Sequence, residues 1–274
     1  MTRPIVTPFS QFLSILASII AVMFWSAKPI YITVLKDSYS AEQIFMMAGL
    51  ISVVAGIMIA ALRHRSTVPL LTQPGARTVC GYAIKAGLFL ALWYWAFYKG
   101  LQGDTPVEVV IISFAWPLVC ILSFRLFAPT LQRRLDRWEY PLVLVAFIGA
   151  GLTAQGSTGD PTLIVFAVLA AIGAGMYLPF AVMAINEATK ITGHKIAASF
   201  YATLFMNIVA LAAGLVLLAV TQQLDLPAQW PSWFELLILT AIGLGTYLVA
   251  EILWCYALSS TDNPSIAALA FLSP

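Results

Sequence analysis

Long apolar blocks alternate with short polar loops along the whole chain. Each block has about 20 residues, the length that a helix needs to cross a hydrocarbon layer about 30 Å thick. The pattern predicts eight complete membrane-spanning helices, over residues 9–35, 41–62, 79–101, 105–127, 140–155, 161–185, 196–221 and 233–258. A ninth apolar stretch begins near residue 263 and reaches roughly half the length of a span at Pro274. We expect the full protein to complete this span and to add a tenth.

An internal repeat divides the chain into two similar halves. Residues 83–117 resemble residues 241–274, with most matched positions separated by a constant interval. Each copy predicts an apolar helix, a turn with the pattern Asp-x-Pro, and a second apolar helix that a proline interrupts. The matched pairs include Ala83 with Ala241, Gly87 with Gly245, Asp104 with Asp262, and Pro106 with Pro264. The repeat predicts a five-helix unit over residues 1–156 and an incomplete second unit over residues 157–274.

The positive charges predict how the two units are oriented. Arginine and lysine residues concentrate in the loops after the second, fourth and sixth spans, and such loops usually face the cytoplasm. The N-terminus is therefore predicted to be cytoplasmic. A unit of five spans crosses the membrane an odd number of times. The second unit must therefore begin on the opposite side and be inverted relative to the first. The predicted fold class is an all-α polytopic membrane protein of ten helices in a 5+5 inverted repeat, an arrangement typical of secondary transporters.

Composition excludes several other classes of protein. Hydrophobic residues make up 61% of the chain and charged residues 9%, which no soluble domain could bury. The sequence has no P-loop, no metal-binding motif and no nucleophile motif, so we predict neither an enzyme nor an ATP-driven pump, and no cofactor. The net charge of +2 gives no reason to expect nucleic-acid binding. We expect a monomer whose partners are the lipid bilayer and a small-molecule substrate.

Ionisable residues inside predicted spans are few, which makes each a candidate for function. Lys85 and Glu251 each lie about 12 Å from the cytoplasmic end of equivalent spans. We therefore hypothesise that they form a pair or a shared polar site, the alternative being that each bonds locally. Glu108 lies one turn into the fourth span, at a depth similar to that of Lys28 and Lys99. This group is either a solvated rim cluster or a site for an amino-acid headgroup or a proton.

Aromatic residues also occur inside spans, away from the headgroup level that they usually occupy. Their ring faces would suit an aromatic or cationic ligand, and packing between helices is the alternative. The candidates for lining a cavity are Trp25, Tyr94, Trp116, Tyr177, Tyr247 and Trp254, with Ser113 beside them.

Glycines and prolines inside spans are candidates for hinges or for cavity walls. Small residues also let helices pack closely, which is the simpler interpretation of the glycines. The glycines are Gly173, Gly175, Gly243 and Gly245, and the prolines are Pro29, Pro117, Pro179 and Pro274.

These features together resemble a known family. Ten spans in two fives, the basic loops and the repeated Tyr…Asp-x-Pro…Pro hairpin are similar to the EamA-type branch of the drug/metabolite transporter superfamily. Within it, Glu108-Val109 followed by Ser113-Phe114-x-Trp116-Pro117 resembles the YddG group of aromatic amino-acid exporters, although that group has asparagine where Ser113 stands. The resemblance implies a multi-pass protein of the bacterial inner membrane. It would export aromatic and other neutral amino acids from the cytoplasm by alternating access through a central cavity.

Two other classes of function stay open. One is a transporter of the same superfamily for another metabolite or drug, such as a nucleotide sugar, a sugar phosphate or a cationic compound. The other is a membrane scaffold or sensor that transports nothing. An anionic substrate such as a sugar phosphate would require more deep cations than Lys85, and a cationic drug would require a carboxylate without a lysine partner.

Overall fold

The computed structural model describes residues 8–62, 73–104, 106–129, 148, 160–220 and 230–260. Every regular element within these ranges is helical. The elements are α1 (Pro8–Leu35), α2 (Ala41–Leu62), α3 (Ala76–Leu101), α4 (Pro106–Ser113), α5 (Trp116–Phe127), α6 (Pro161–Thr192), α7 (Lys195–Val220), α8 (Trp233–Thr240), a π-helical segment (Ala241–Ala250) and α9 (Glu251–Ser260).

Seven helical stretches in the described residues are long and apolar enough to cross a membrane. They are α1, α2, α3, α4 with α5, α6, α7, and the run from α8 through the π-helical segment to α9. Each coincides with a predicted span, so the prediction of an all-α, multi-pass membrane protein is confirmed. The predicted spans at residues 140–155 and after residue 263, with Pro274, lie outside the described residues. The ten-helix inverted repeat and its division near residue 156 stay predictions.

Polar side chains and glycines fix the ends of these helices. Asp160 accepts a hydrogen bond from the backbone N–H of Thr162 at 2.9 Å, which caps α6 and lowers the pKa of the Asp160 carboxyl. Helix α6 continues to Thr192, beyond the predicted end at residue 185, because the chain offers no stop before Gly193. Gly193 ends the helix in the left-handed conformation, with φ 71°.

Two of the predicted spans are interrupted inside the membrane. Turn residues Phe114 and Ala115 separate α4 from α5, immediately before Trp116 and Pro117. Proline has no N–H to continue the helical hydrogen bonds, so the predicted interruption of this span is confirmed. The ten-residue π-helical segment was not predicted, and it contains Gly243 and Gly245. Pro29 and Pro179 lie inside the continuous helices α1 and α6.

Helix α6 lies at the centre of the bundle and packs most extensively against α3. A Cβ atom on Gly173 would lie 2.6 Å from the backbone nitrogen of Trp93, and one on Gly175 would contact α5 at 2.5 Å. Cβ atoms on Gly243 and Gly245 would come equally close to α2 and α1. These glycines therefore allow close helix packing, as the simpler interpretation of the sequence predicts. Their role as hinges stays a prediction.

Candidate functional site

A cavity lies between α1, α3 and the break that separates α4 from α5. The cavity is partly open, and the space in it that atoms do not occupy is about 450 Å³, which includes space open to solvent. Most of its wall is apolar, and several aromatic rings face it. The lining residues are Trp25, Lys28, Pro29, Trp93, Phe97, Ser113, Phe114 and Trp116. An aromatic cavity beside a broken helix is a common form of binding site in membrane transporters.

Lys28 contributes a buried ammonium group to this cavity. Its side chain is carried on α1 next to Pro29, and the residue is only 2% exposed. The Nζ atom lies over the rings of Trp93, Tyr94 and Phe97, at 4.2, 4.8 and 4.9 Å from their centroids. The described part of the chain offers Nζ no hydrogen-bond acceptor. Cation–π contacts stabilise the charge but leave its three N–H donors without acceptors.

Two tryptophans beside Lys28 also carry donors without acceptors among the described residues. They are Trp25, whose ring lines the cavity, and Trp254, which is fully buried behind it. Their ring centroids lie 5.0 Å apart, and Trp254 also contacts Trp116 edge-on at 6.0 Å. Buried indole N–H groups usually find a partner, so unpaired ones at a cavity are candidates for contacting a ligand.

By contrast, both carboxylate oxygens of Glu251 accept hydrogen bonds. The residue is fully buried at the start of α9. Its Oε1 accepts from the hydroxyl of Tyr94 at 3.2 Å, and its Oε2 accepts from the hydroxyl of Tyr177 at 2.9 Å. The carboxylate therefore joins α9 to α3 and α6.

Tyrosines connect α3 directly to the π-helical segment. Tyr247 stacks on Tyr94 with centroids 3.9 Å apart, and its hydroxyl donates to that of Tyr98 at 2.6 Å. Asn207 on α7 donates to the Tyr247 carbonyl at 2.8 Å. Tyrosine side chains, and not the predicted pair of Lys85 and Glu251, therefore make the contact between the third and eighth predicted spans.

The hypothesis that Lys85 pairs with Glu251 is wrong. Lys85 is exposed on α3, and its Nζ lies over the ring of Phe180 at 5.6 Å. Glu251 lies at the level of Tyr94, and Lys85 precedes Tyr94 by about 13 Å along the helix. Counting residues from the predicted helix ends placed Lys85 and Glu251 at the same depth. In the helix bundle the two side chains lie at different depths.

The predicted cluster of Glu108, Lys28 and Lys99 does not form either. Lys99 Nζ pairs with Glu42 at 2.5 Å, and the other donor to this carboxylate is the indole N–H of Trp95. The Nζ atom of Lys28 lies over the rings of Trp93, Tyr94 and Phe97 instead. Glu108 is half-buried on α4 and does not line the cavity described above.

The remaining candidates divide into two groups. Trp25, Ser113, Trp116 and Pro29 line the cavity, whereas Tyr94, Tyr177, Tyr247 and Trp254 form the aromatic layer next to it. Four lining residues, Lys28, Trp93, Phe97 and Phe114, were not among the predicted cavity-lining residues, although Lys28 was part of the predicted cluster with Glu108. Lys28 lies about 10 Å before the end of α1, so the depth argument applied to Lys85 could have identified it.

Comparison with known proteins supports the fold alone. No family model matches the chain, and no curated protein matches it significantly. The chain is similar to a solved structure called "Crystal structure of protein", with a TM-score of 0.65 and 22% identity. The match covers 95% of this chain and 84% of that one. At this identity the likeness shows a shared fold and does not extend to function.

Proposed function

We propose that this chain is a secondary transporter that exports aromatic and other neutral amino acids from the cytoplasm. The observation that carries the proposal is the partly open aromatic cavity lined by Lys28, whose amino group has no acceptor among the described residues. Aromatic rings suit a planar side chain, and the ammonium suits a carboxylate. The proposal places the protein in the EamA-type branch of the drug/metabolite transporter superfamily, in the bacterial inner membrane, with a cytoplasmic N-terminus.

Alternating access is the proposed mechanism. Discontinuous helices at the interface of two repeats are typical of secondary transporters. The break between α4 and α5 adjoins the cavity, and Pro29 lies on its wall. Rocking of the two predicted halves would bend the chain at these points and expose the cavity to one side and then to the other.

The alternative substrates are less well matched to the cavity wall. A cationic compound would meet the charge of Lys28, and the nearby carboxylate of Glu251 already accepts two hydrogen bonds. A sugar phosphate carries about two negative charges, and the wall described here supplies one ammonium group. No observation favours a scaffold or sensor.

The test is counterflow into sealed liposomes that contain the purified full-length protein. We expect labelled tryptophan and phenylalanine to accumulate faster than lysine, and no accumulation in empty liposomes. Trp116→Ala should abolish the flux because Trp116 lines the cavity. The proposal is refuted if correctly folded, inserted protein transports none of the amino acids tested.

A further inference from the structure

The polar side chains that line the cavity are almost all hydrogen-bond donors. Lys28 supplies an ammonium, and Trp25, Trp93 and Trp116 supply indole N–H groups. Ser113 is the exception, and its hydroxyl lies 3.5 Å from the carbonyl of Ala167. No carboxylate is among the lining residues in the part of the chain that the structure describes. The wall is therefore complementary to a ligand that accepts hydrogen bonds.

Two of these donors are buried and have no acceptor among the described residues. Burying an ammonium away from water is costly unless it is paired, and Lys28 Nζ lies over the rings of Trp93 and Tyr94. Trp25 Nε1 is unpaired within the described ranges too. Both residues come from α1, where positions three apart lie on the same face of a helix.

The nearest carboxylate does not complement a substrate ammonium group. Both oxygens of Glu251 accept tyrosine hydroxyls, and the residue is fully buried behind the cavity wall. An ammonium group would have to bind backbone carbonyls at the end of α4, where Pro117 provides no N–H to continue the helix. The side chains of the cavity wall therefore favour a ligand with a carboxylate over a ligand with an ammonium group.

We infer that Lys28 and Trp25 form a carboxylate subsite, and that the cavity selects aromatic carboxylates whether or not they carry an α-amino group. The inference rests on the proposed transport function, because it names the substrate class of the same cavity. It extends that function from amino acids to arylalkyl carboxylic acids. An aromatic amine without a carboxylate is not a substrate.

Three indole compounds test the inference because they differ only in their polar groups. Tryptophan has both groups, indole-3-propionate has the carboxylate alone, and tryptamine has the ammonium alone. Each is tested as an inhibitor of tryptophan counterflow and as a ligand that raises the unfolding midpoint of the purified protein in detergent. Indole-3-propionate should bind within about tenfold of tryptophan, and tryptamine should bind at least about 100-fold more weakly.

Variants connect the selectivity to the two residues. Lys28→Met should weaken binding of both carboxylates by about 10- to 100-fold, because an ionic hydrogen bond is lost. Lys28→Arg keeps a charged donor and should keep the order of the three compounds. Trp25→Phe keeps a ring and loses the N–H, so it tests the subsite even if Lys28→Met fails to fold. Lys85→Met is the matched control, since Lys85 is exposed and outside the cavity.

The possible results separate this inference from the proposed function. Tryptophan flux without binding of indole-3-propionate would overturn the inference and leave the function intact. Binding and flux of labelled indole-3-propionate without tryptophan flux would refute amino-acid export and support the subsite. Tryptamine binding as tight as that of indole-3-propionate, or unchanged binding by Lys28→Met, would also overturn the inference.

Discussion

Two lysines near the ends of apolar helices have opposite surroundings. Lys99 on α3 pairs with Glu42 at 2.5 Å, and its side chain is 23% exposed. Lys28 on α1 is 2% exposed and lies over aromatic rings, and its Nζ has no acceptor in the described residues. Both are charges in a membrane-spanning segment, so the sequence presents them as equivalent candidates.

The two lysines differ in their hydrogen-bond partners more than in their depth. The carboxylate of Glu42 accepts from both Lys99 and Trp95, so this cluster needs no further partner to balance its charge. The amino group of Lys28 has no acceptor in the part of the chain that the structure describes, and buried donors without acceptors cost stability unless a ligand accepts from them. We therefore propose that Lys28 contacts the substrate and that Lys99 stabilises the bundle.

The largest expected effect is on transport by Lys28→Met. Loss of an ionic hydrogen bond to the substrate should reduce tryptophan counterflow by about 10- to 100-fold. Lys99→Met should change it by less than about threefold, because neither Lys99 nor Glu42 lines the cavity. Initial rates are compared at equal amounts of reconstituted protein. Similar losses in the two variants would remove the distinction between the two lysines.

The tyrosines around Glu251 should give a smaller effect, on stability. Tyr177→Phe removes a hydrogen bond to a buried carboxylate, and we expect the free energy of unfolding to fall by about 1.5–3 kcal/mol. Tyr98→Phe removes a bond between two neutral hydroxyls and should cost about 0.5–1.5 kcal/mol. Thermal unfolding in detergent measures both. An equal or larger loss for Tyr98→Phe would mean that Glu251 does not depend on its tyrosine donors.

The smallest effect is expected for Glu42→Gln. The amide oxygen can still accept from Trp95, and the freed Lys99 side chain can extend toward the membrane surface. The free energy of unfolding should therefore fall by about 1 kcal/mol or less, and the loss should shrink at high salt. Unfolding is followed at two salt concentrations. A drop of transport comparable to that of Lys28→Met would show that this cluster belongs to the substrate site.

Local patterns allowed the sequence to predict much of the fold. The length of each apolar block predicted the helices, since a membrane-spanning segment must satisfy its own backbone hydrogen bonds. The proline in the fourth span predicted the break before Trp116. The aromatic residues inside spans predicted Trp25 and Trp116 at the cavity, because rings away from the headgroup level need another reason for their position.

The partners of each charge could not be predicted in this way. Lys85 and Glu251 had similar predicted depths, yet the rotation of α3 directs Tyr94 toward Glu251 and leaves Lys85 exposed. The π-helical segment also depends on contacts between helices, since Gly243 approaches α2 and Asn207 binds the Tyr247 carbonyl. Single-helix periodicity contains no information about which face meets which neighbour.

The sequence by itself determined that this protein is an all-helical, multi-pass membrane protein, because hydrophobic length and backbone hydrogen bonding are properties of each segment alone. The tertiary structure decided that Lys28, rather than Lys85, reaches the aromatic cavity and that Glu251 is held by two tyrosines. These outcomes depend on how helices distant in sequence rotate and cross. Packing of small residues such as Gly173 against α3 sets that geometry.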